Sequence, residues 1–278
     1  MMFNVKNRHE LKGEFFMTIS NTANHILVSK EGRVATIVFN RPEVLNAMNE
    51  DTFRQFRDAL DEITSADVDV VVLCGNGKGF SSGGDLKSML SNTDESAFGP
   101  VMDLISELVI KLYTLPKIVI SAIHGPAAGI GLSLALASDY VLAHESGVLA
   151  MNFIGIGLIP DGGAHYFLEK RIGESKAKQL IWEGKKLNAN QALELGLIDE
   201  VISGDFESEI KGRVKTILQK PVLAMIQTKQ IYCENNLENL KNTLASEKNG
   251  QGLMRKTKDH NEGVQAFLQK RQPEFTGK

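Results

Sequence analysis

The residues from Ile123 to Asp139, Ile-His-Gly-Pro-Ala-Ala-Gly-Ile-Gly-Leu-Ser-Leu-Ala-Leu-Ala-Ser-Asp, follow an apolar run and lead straight into an Ala/Leu-rich helical segment. Backbone N–H groups at such a helix start converge on one point, with the positive end of the helix dipole behind them. That point can stabilise negative charge, either on a phosphate or on an oxyanion that forms during a reaction. The plainer reading is a tight turn whose glycines at 125, 129 and 131 let strand and helix pack closely.

A second candidate is Asp161, in Gly155-Ile-Gly157-Leu-Ile-Pro160-Asp161-Gly-Gly163. An Asp at a turn that opens a helix commonly caps it. Its neighbours Phe153, Ile154, Ile156, Leu158 and Ile159 are apolar, and such surroundings raise a carboxyl pKa and suit it to taking a proton from carbon. His165, four residues on, could share a helix face with Asp161, though a structural role fits it better.

Gly79-Phe-Ser81-Ser-Gly83 matches the Gly-x-Ser-x-Gly elbow of serine hydrolases. That serine should sit at the sharp end of a strand, and here the strand pattern stops at Cys74. Nucleotide loops fail on their residues. Position 80 is Phe where a dinucleotide fingerprint needs Gly, and Gly77-Lys78 is followed by Gly79 rather than Ser or Thr.

These loops need elements to hold them. Ile26 to Lys30 and Val34 to Phe39, joined at Glu31-Gly32, predict a hairpin. Asn49 caps a helix in which Phe53, Phe56, Leu60 and Ile63 form one stripe. Val68 to Cys74 and Lys117 to Ile123 read as strands covered on both faces, with helical spacing between them from Phe98 to Tyr113. Short strands are expected at Tyr140 to Ala143, Val148 to Ala150 and Ile198 to Ile202. Helical spacing is read at 162–171, 174–183, 189–195, 206–219, 221–235 and 259–271. The alternation predicts an α/β core with parallel pairing, followed by a helical tail that serves as lid, assembly surface or both.

With 42% apolar and 23% charged residues and a net charge of −3, the composition is that of a soluble globular protein without a nucleic-acid-binding surface. Cys74 and Cys233 are too few for a disulfide framework or a zinc site, and free thiols suit a reducing, cytoplasmic setting. The His residues lack metal spacing, so no metal is expected. No apolar run reaches the length of a membrane span, and the first sixteen residues lack the pattern of a secretory signal. Residues 1–16 read as an extension ahead of an ordinary start at Met17.

Taken together, the loops resemble the crotonase (enoyl-CoA hydratase/isomerase) superfamily. The resemblance rests on Asn40-Arg-Pro-x-x-x-Asn46-Ala, Phe80-Ser-Ser-Gly-Gly84-Asp85-Leu, His124-Gly-Pro-Ala-Ala-Gly129-Ile-Gly131 and Gly157-Leu-Ile-Pro160-Asp161-Gly-Gly. Ala192-x-x-x-Gly196-Leu-Ile-Asp199 and Glu262-Gly-Val-Gln-Ala-Phe267-Leu-Gln-Lys270-Arg continue it in order, from roughly 25 to 275. It implies a spiral of ββα units over 17–203 that holds the active site, and a helical region over 204–278 that builds a lid and a homotrimer or hexamer. It also implies an acyl-CoA thioester substrate, with CoA arriving as part of the substrate and no separate cofactor.

The family's shared chemistry is stabilisation of a thioester enolate between two backbone N–H groups, which by resemblance are those of Gly84 and Ile130. By the same carry-over, Val44, Leu45, Ser82 and Leu86 line the CoA. Phe267 and Lys270, from this or a neighbouring subunit, meet its adenine and phosphates. The family's hydratases use two glutamates, and at those positions this chain has Ser133 and Phe153. Neither can activate water and deliver a proton. Asp161 falls where some family isomerases place their single acidic catalyst. The expectation is therefore an enoyl-CoA isomerase with Asp161 as proton shuttle; a hydratase, or a catalytically silent CoA-binding protein, is the alternative.

Overall fold

The computed structural model describes residues 24–87 and 95–278. The expected extension over 1–16 lies outside them. The hairpin forms from β1 (Ile26–Glu31) and β2 (Val34–Phe39), in register from Ile26 opposite Phe39 to Glu31 opposite Val34. Strands β3 (Val70–Gly75), β4 (Ile118–Ile123), β6 (Tyr140–His144) and β9 (Glu200–Ile202) extend it in parallel, giving the order β1-β2-β3-β4-β6-β9. β5 (Pro126–Ala128), β7 (Val148–Ala150) and β8 (Lys186–Asn188) form a second, three-stranded sheet. β5 and β8 are too short to show a period of two, and the glycines around β5 make it read as a turn.

Both faces of the main sheet are covered, which is why β3 and β4 are buried at every position. On one face lie α1 (Glu50–Thr64) and α2 (Phe98–Thr114), together with Ile37, Phe39, Val71 and Leu73. Asn49 caps α1 as expected, its Oδ1 accepting from the Thr52 N–H at 3.0 Å, and the whole Phe53-Phe56-Leu60-Ile63 stripe is buried. Phe39 meets the Phe56 ring edge-on at 5.3 Å between centroids. The other face carries Val38, Val70, Val72 and Ile120 against α6 (Phe206–Leu218) and the start of α7 (Val222–Met254).

Further helices are α3 (Ile130–Leu136), α4 (Ala164–Glu183), α5 (Ala189–Leu195) and α8 (Lys258–Gln269). α4 joins the two expected segments and breaks its helical geometry at Gly173, with φ 76°. The largest departure is α7. Its 33 residues run far past the expected end at 235, because beyond Cys233 the buried stripe passes from Leu240 and Leu244 to Glu247 and Gln251. An apolar pattern that turns polar on its buried side carries no amphipathic signal.

Candidate active site

Two loops meet at the carboxyl ends of β3 and β4. Ser81 bridges Ala127 in parallel, its N–H donating to Pro126 O and its carbonyl accepting from the Ala128 N–H, both at 2.9 Å. A Cβ placed on Gly83 would stand 2.9 Å from Ala128 O and 3.7 Å from Gly129 Cα. Both residues have positive φ, 100° at Gly83 and 53° at Gly129. The backbones touch here because neither carries a side chain. The residues that follow them are Gly84 and Ile130. Ile130 is the first residue of α3, so its N–H has no acceptor within the helix. Among the described residues, neither the Gly84 nor the Ile130 N–H has a backbone acceptor.

The Asn40-to-Ala47 segment holds this cradle from outside. Asn46, buried, donates from Nδ2 to Asn76 O at 2.9 Å and Gly79 O at 2.8 Å, and its Oδ1 accepts from the Arg41 N–H. Arg41 donates to Ala47 O at 2.6 Å and pairs with Asp85 at 3.0 Å. Ser81 Oγ donates to Asn46 O at 2.8 Å and accepts from the Gly83 N–H at 3.2 Å. Fully buried and bonded on both sides, that hydroxyl is a scaffold group, which removes the nucleophile-elbow reading.

Asp161 enters from the turn before α4. It does not cap that helix: Gly163 occupies the cap position, and the Asp161 carboxyl bonds none of the first N–H groups of α4. A Cβ on Gly162, at φ 68°, would fall 2.3 Å from Ile130 Cδ1 and 3.1 Å from Ser133 Cβ. The Asp161 turn therefore packs on the first turn of α3, beside the cradle. Phe153 closes another side, its ring 3.7 Å from where a Cβ on Gly129 would stand. Asp161 Oδ1 is buried without a partner. Burial, and then the nearby Glu247 carboxylate, push the Asp161 carboxyl up to about 8.

Glu247 and Gln251 are the residues that sequence reasoning missed. Glu247 is 2% exposed, and its oxygens accept from the N–H groups of Gly163 at 2.7 Å and His165 at 3.0 Å. His165 Nδ1 also lies 2.8 Å from Glu247 Oε1, so His165 serves that carboxylate and is bonded to it rather than to Asp161. Gln251 donates to Ile159 O at 2.6 Å and to Asp161 Oδ2 at 3.2 Å. A faint signal existed: Ile226, Cys233, Leu240 and Glu247 recur every seven residues on one buried face.

Val44, Leu45 and Ser82 share one exposed rim next to the cradle. The Ser82 N–H donates to Leu45 O at 2.8 Å and its Oγ donates to Val44 O at 3.1 Å. Leu86, half-buried, follows at the start of a helical turn. Phe267 and Lys270 stand elsewhere, at the end of α8. That helix is fixed to the 154–157 turn by His260 Nδ1, 2.8 Å from Ile156 O, and Phe267 remains 59% exposed. A groove of about 1010 Å³ between the hairpin and α6 holds none of these residues. Among the described residues no group of three or more His, Cys, Asp or Glu side chains could hold a metal ion, and no helix is long and apolar enough to cross a membrane.

Two backbone N–H groups without backbone acceptors, with one buried carboxyl beside them, are an arrangement that can hold developing negative charge and move a proton next to it. The family model for enoyl-CoA hydratase/isomerase matches residues 29–278, and the chain belongs to that family of enzymes. YhaR of Bacillus subtilis (strain 168), whose provisional name carries both hydratase and isomerase, is 50% identical over 244 residues, covering 88% of this chain and 96% of its own. The 1,2-epoxyphenylacetyl-CoA isomerase of Escherichia coli (strain K12) is 36% identical over 262 residues, 91% of this chain and 98% of its own. The crystal structure of an enoyl-CoA hydratase from Mycobacterium avium subsp. paratuberculosis K-10 superimposes with a TM-score of 0.82 at 33% identity, covering 91% of this chain and 99% of that one. The α/β architecture with its helical C-terminal region is thus the crotonase fold.

Proposed function

We propose that this protein is an acyl-CoA isomerase that shifts a double bond through a thioester enolate, with Asp161 carrying the proton. The observation that carries the reading is the unpartnered, buried Oδ1 of Asp161 beside the first turn of α3; where the family resemblance puts the two hydratase glutamates, this chain has Ser133 and Phe153. The thioester oxygen sits between the Gly84 and Ile130 N–H groups. Ionised Asp161 takes a proton from C2 of a 3-enoyl-CoA, and the electron pair spreads over the dienolate onto the thioester oxygen. The protonated carboxyl then returns the proton to C4, the double bond ends between C2 and C3, and Asp161 is ionised again. A carboxyl raised toward neutral pH is a stronger base than an ordinary one, so proton removal from carbon is less uphill. Phe153 keeps water from the intermediate.

The CoA moiety runs along Val44, Leu45, Ser82 and Leu86. Phe267 and Lys270 reach its nucleotide end in an assembly of three or six copies built on the helical region, and the reaction needs no metal or organic cofactor. The name of the E. coli relative, an isomerase, supports the same reading.

Mass spectrometry after incubation with 2-enoyl- and 3-enoyl-CoA in heavy water tests it. Deuterium uptake with a moved double bond and no added water is the expected result. A product heavier by a whole water would make the protein a hydratase.

A further inference from the structure

Helix α7 sends two buried polar side chains, one turn apart, to the back of the Asp161 turn. We propose that Glu247 and Gln251 are positioning residues that set the charge state and aim of Asp161 from behind, so that one carboxyl oxygen is held and the other faces the reacting carbon. The proposal rests on Asp161 being the proton shuttle.

The geometry assigns them separate jobs. Gln251 ties Ile159 O and Asp161 Oδ2 to one amide nitrogen, which fixes the carboxyl plane and leaves Oδ1 without a protein partner. Glu247 gathers the Gly163 and His165 N–H groups and the His165 ring on its two oxygens. A set of N–H donors aimed at both oxygens matches an ionised carboxylate. It also locks the turn that carries Asp161, two residues before Gly163.

A buried negative charge this close makes a second one costly, so Glu247 opposes ionisation of Asp161, while the Gln251 amide favours it. Burial remains the larger influence on Asp161. Other elements around it add little charge. Ser133 of α3 donates its hydroxyl to Gly129 O, and His165 of α4 is tied to Glu247. Lys248 is paired with Asp103 of α2, and the 153–160 loop is uncharged. Among the described residues Glu247 is the charged side chain that acts on Asp161.

The test uses the full chain with Glu247→Gln and Gln251→Met, each checked for unchanged circular dichroism. Asp161 is titrated directly by infrared difference spectroscopy against Asp161→Asn, and the acid limb of the isomerisation rate is followed in parallel. The midpoint should move by about one pH unit, downward in Glu247→Gln and upward in Gln251→Met. Lower melting temperatures with unmoved midpoints, or shifts in the same direction, would overturn the proposal. If Glu247→Gln does not fold, Gln251→Met decides alone, and an unmoved midpoint counts against the idea. The infrared midpoint needs no turnover. An Asp161→Asn enzyme that still isomerises would therefore remove the proton-shuttle reading by itself, whatever the two variants do to the titration.

Discussion

The two halves of the candidate site are made from different material. The cradle is backbone: Gly83 against Gly129, then the N–H groups of Gly84 and Ile130, clamped by Asn46, Arg41 and Ser81. The acidic half is side chain: Asp161 on a turn, held by Gln251 and Glu247 from a helix about 90 residues further along. A backbone site is sensitive to any added atom and holds no group that titrates. A side-chain site tolerates changes of shape and responds to charge. Each half should therefore fail in its own way.

The largest expected effect is at Asp161. Asp161→Asn keeps shape and removes the base, so kcat should fall by about 10²- to 10⁴-fold with acyl-CoA binding retained. Steady-state kinetics and a binding titration check this together. On the other side, Gly83→Ala should cost about 10² to 10³ in kcat, the scale of losing one oxyanion donor. The new methyl has only Ala128 O to push against, at 2.9 Å, and alanine resists the φ of 100°. If both variants kept wild-type kcat, the division into two halves would be wrong.

The pH dependence separates them further. The Asp161 carboxyl at about 8 in the folded protein lies well above its ordinary 3.8, so between those values the folded state holds a proton that the unfolded chain has lost. Stability on account of this group is undiminished below the unfolded value and falls as pH rises toward 8. Asp161→Asn should therefore melt higher than wild type near pH 8, with the difference vanishing below pH 4. In the wild type, kcat/KM should climb with pH through about 8, since the base must be ionised. A rate that is flat from pH 6 to 9 would contradict a raised carboxyl as the working base.

The same division explains what the sequence made legible. Glycines that touch at Gly83 and Gly129, an asparagine clamp at Asn46 and a helix start at Ile130 are local features, and each stands in a short motif. Asp161 was visible because its apolar neighbours adjoin it in the chain. Glu247 and Gln251 were not, because what buries them is a packing contact between α7 and the 159–165 turn, and nothing in residues 236–254 alone tells a buried carboxylate from a solvated one. The strands β5 and β8 stayed hidden for a related reason: three residues paired only across the fold leave no pattern of their own.

Between the two halves lies packing, and Leu240 tests it. Fully buried on α7, about two turns before Glu247, it stands 3.2 Å from where a Cβ on Gly163 would be. Leu240→Ala should cost about 2–5 kcal/mol of stability by urea unfolding. It should also lower kcat, by less than Gly83→Ala does, since the cavity opens behind the acidic turn rather than at the reacting groups.

The smallest effect sharpens the comparison from the cradle's side. Asn49 caps α1 through the Thr52 N–H, and its chain neighbour Met48 is laid along the Gly83–Asp85 loop, donating to Gly83 O and accepting from the Asp85 N–H, both at 2.8 Å. Asn49→Ala removes the cap and should cost about 1 kcal/mol, near 2 °C in melting temperature for a chain of this size. The Met48 bonds are backbone and do not pass through the Asn49 side chain, and Asn46 and Ser81 hold the loop independently. Stability should therefore fall while kcat stays within about twofold of wild type, a change near 0.4 kcal/mol in barrier. A tenfold loss of kcat at full folding would mean that α1 holds the Gly84 N–H in place through Met48, and that the cradle is only as rigid as the helix beside it.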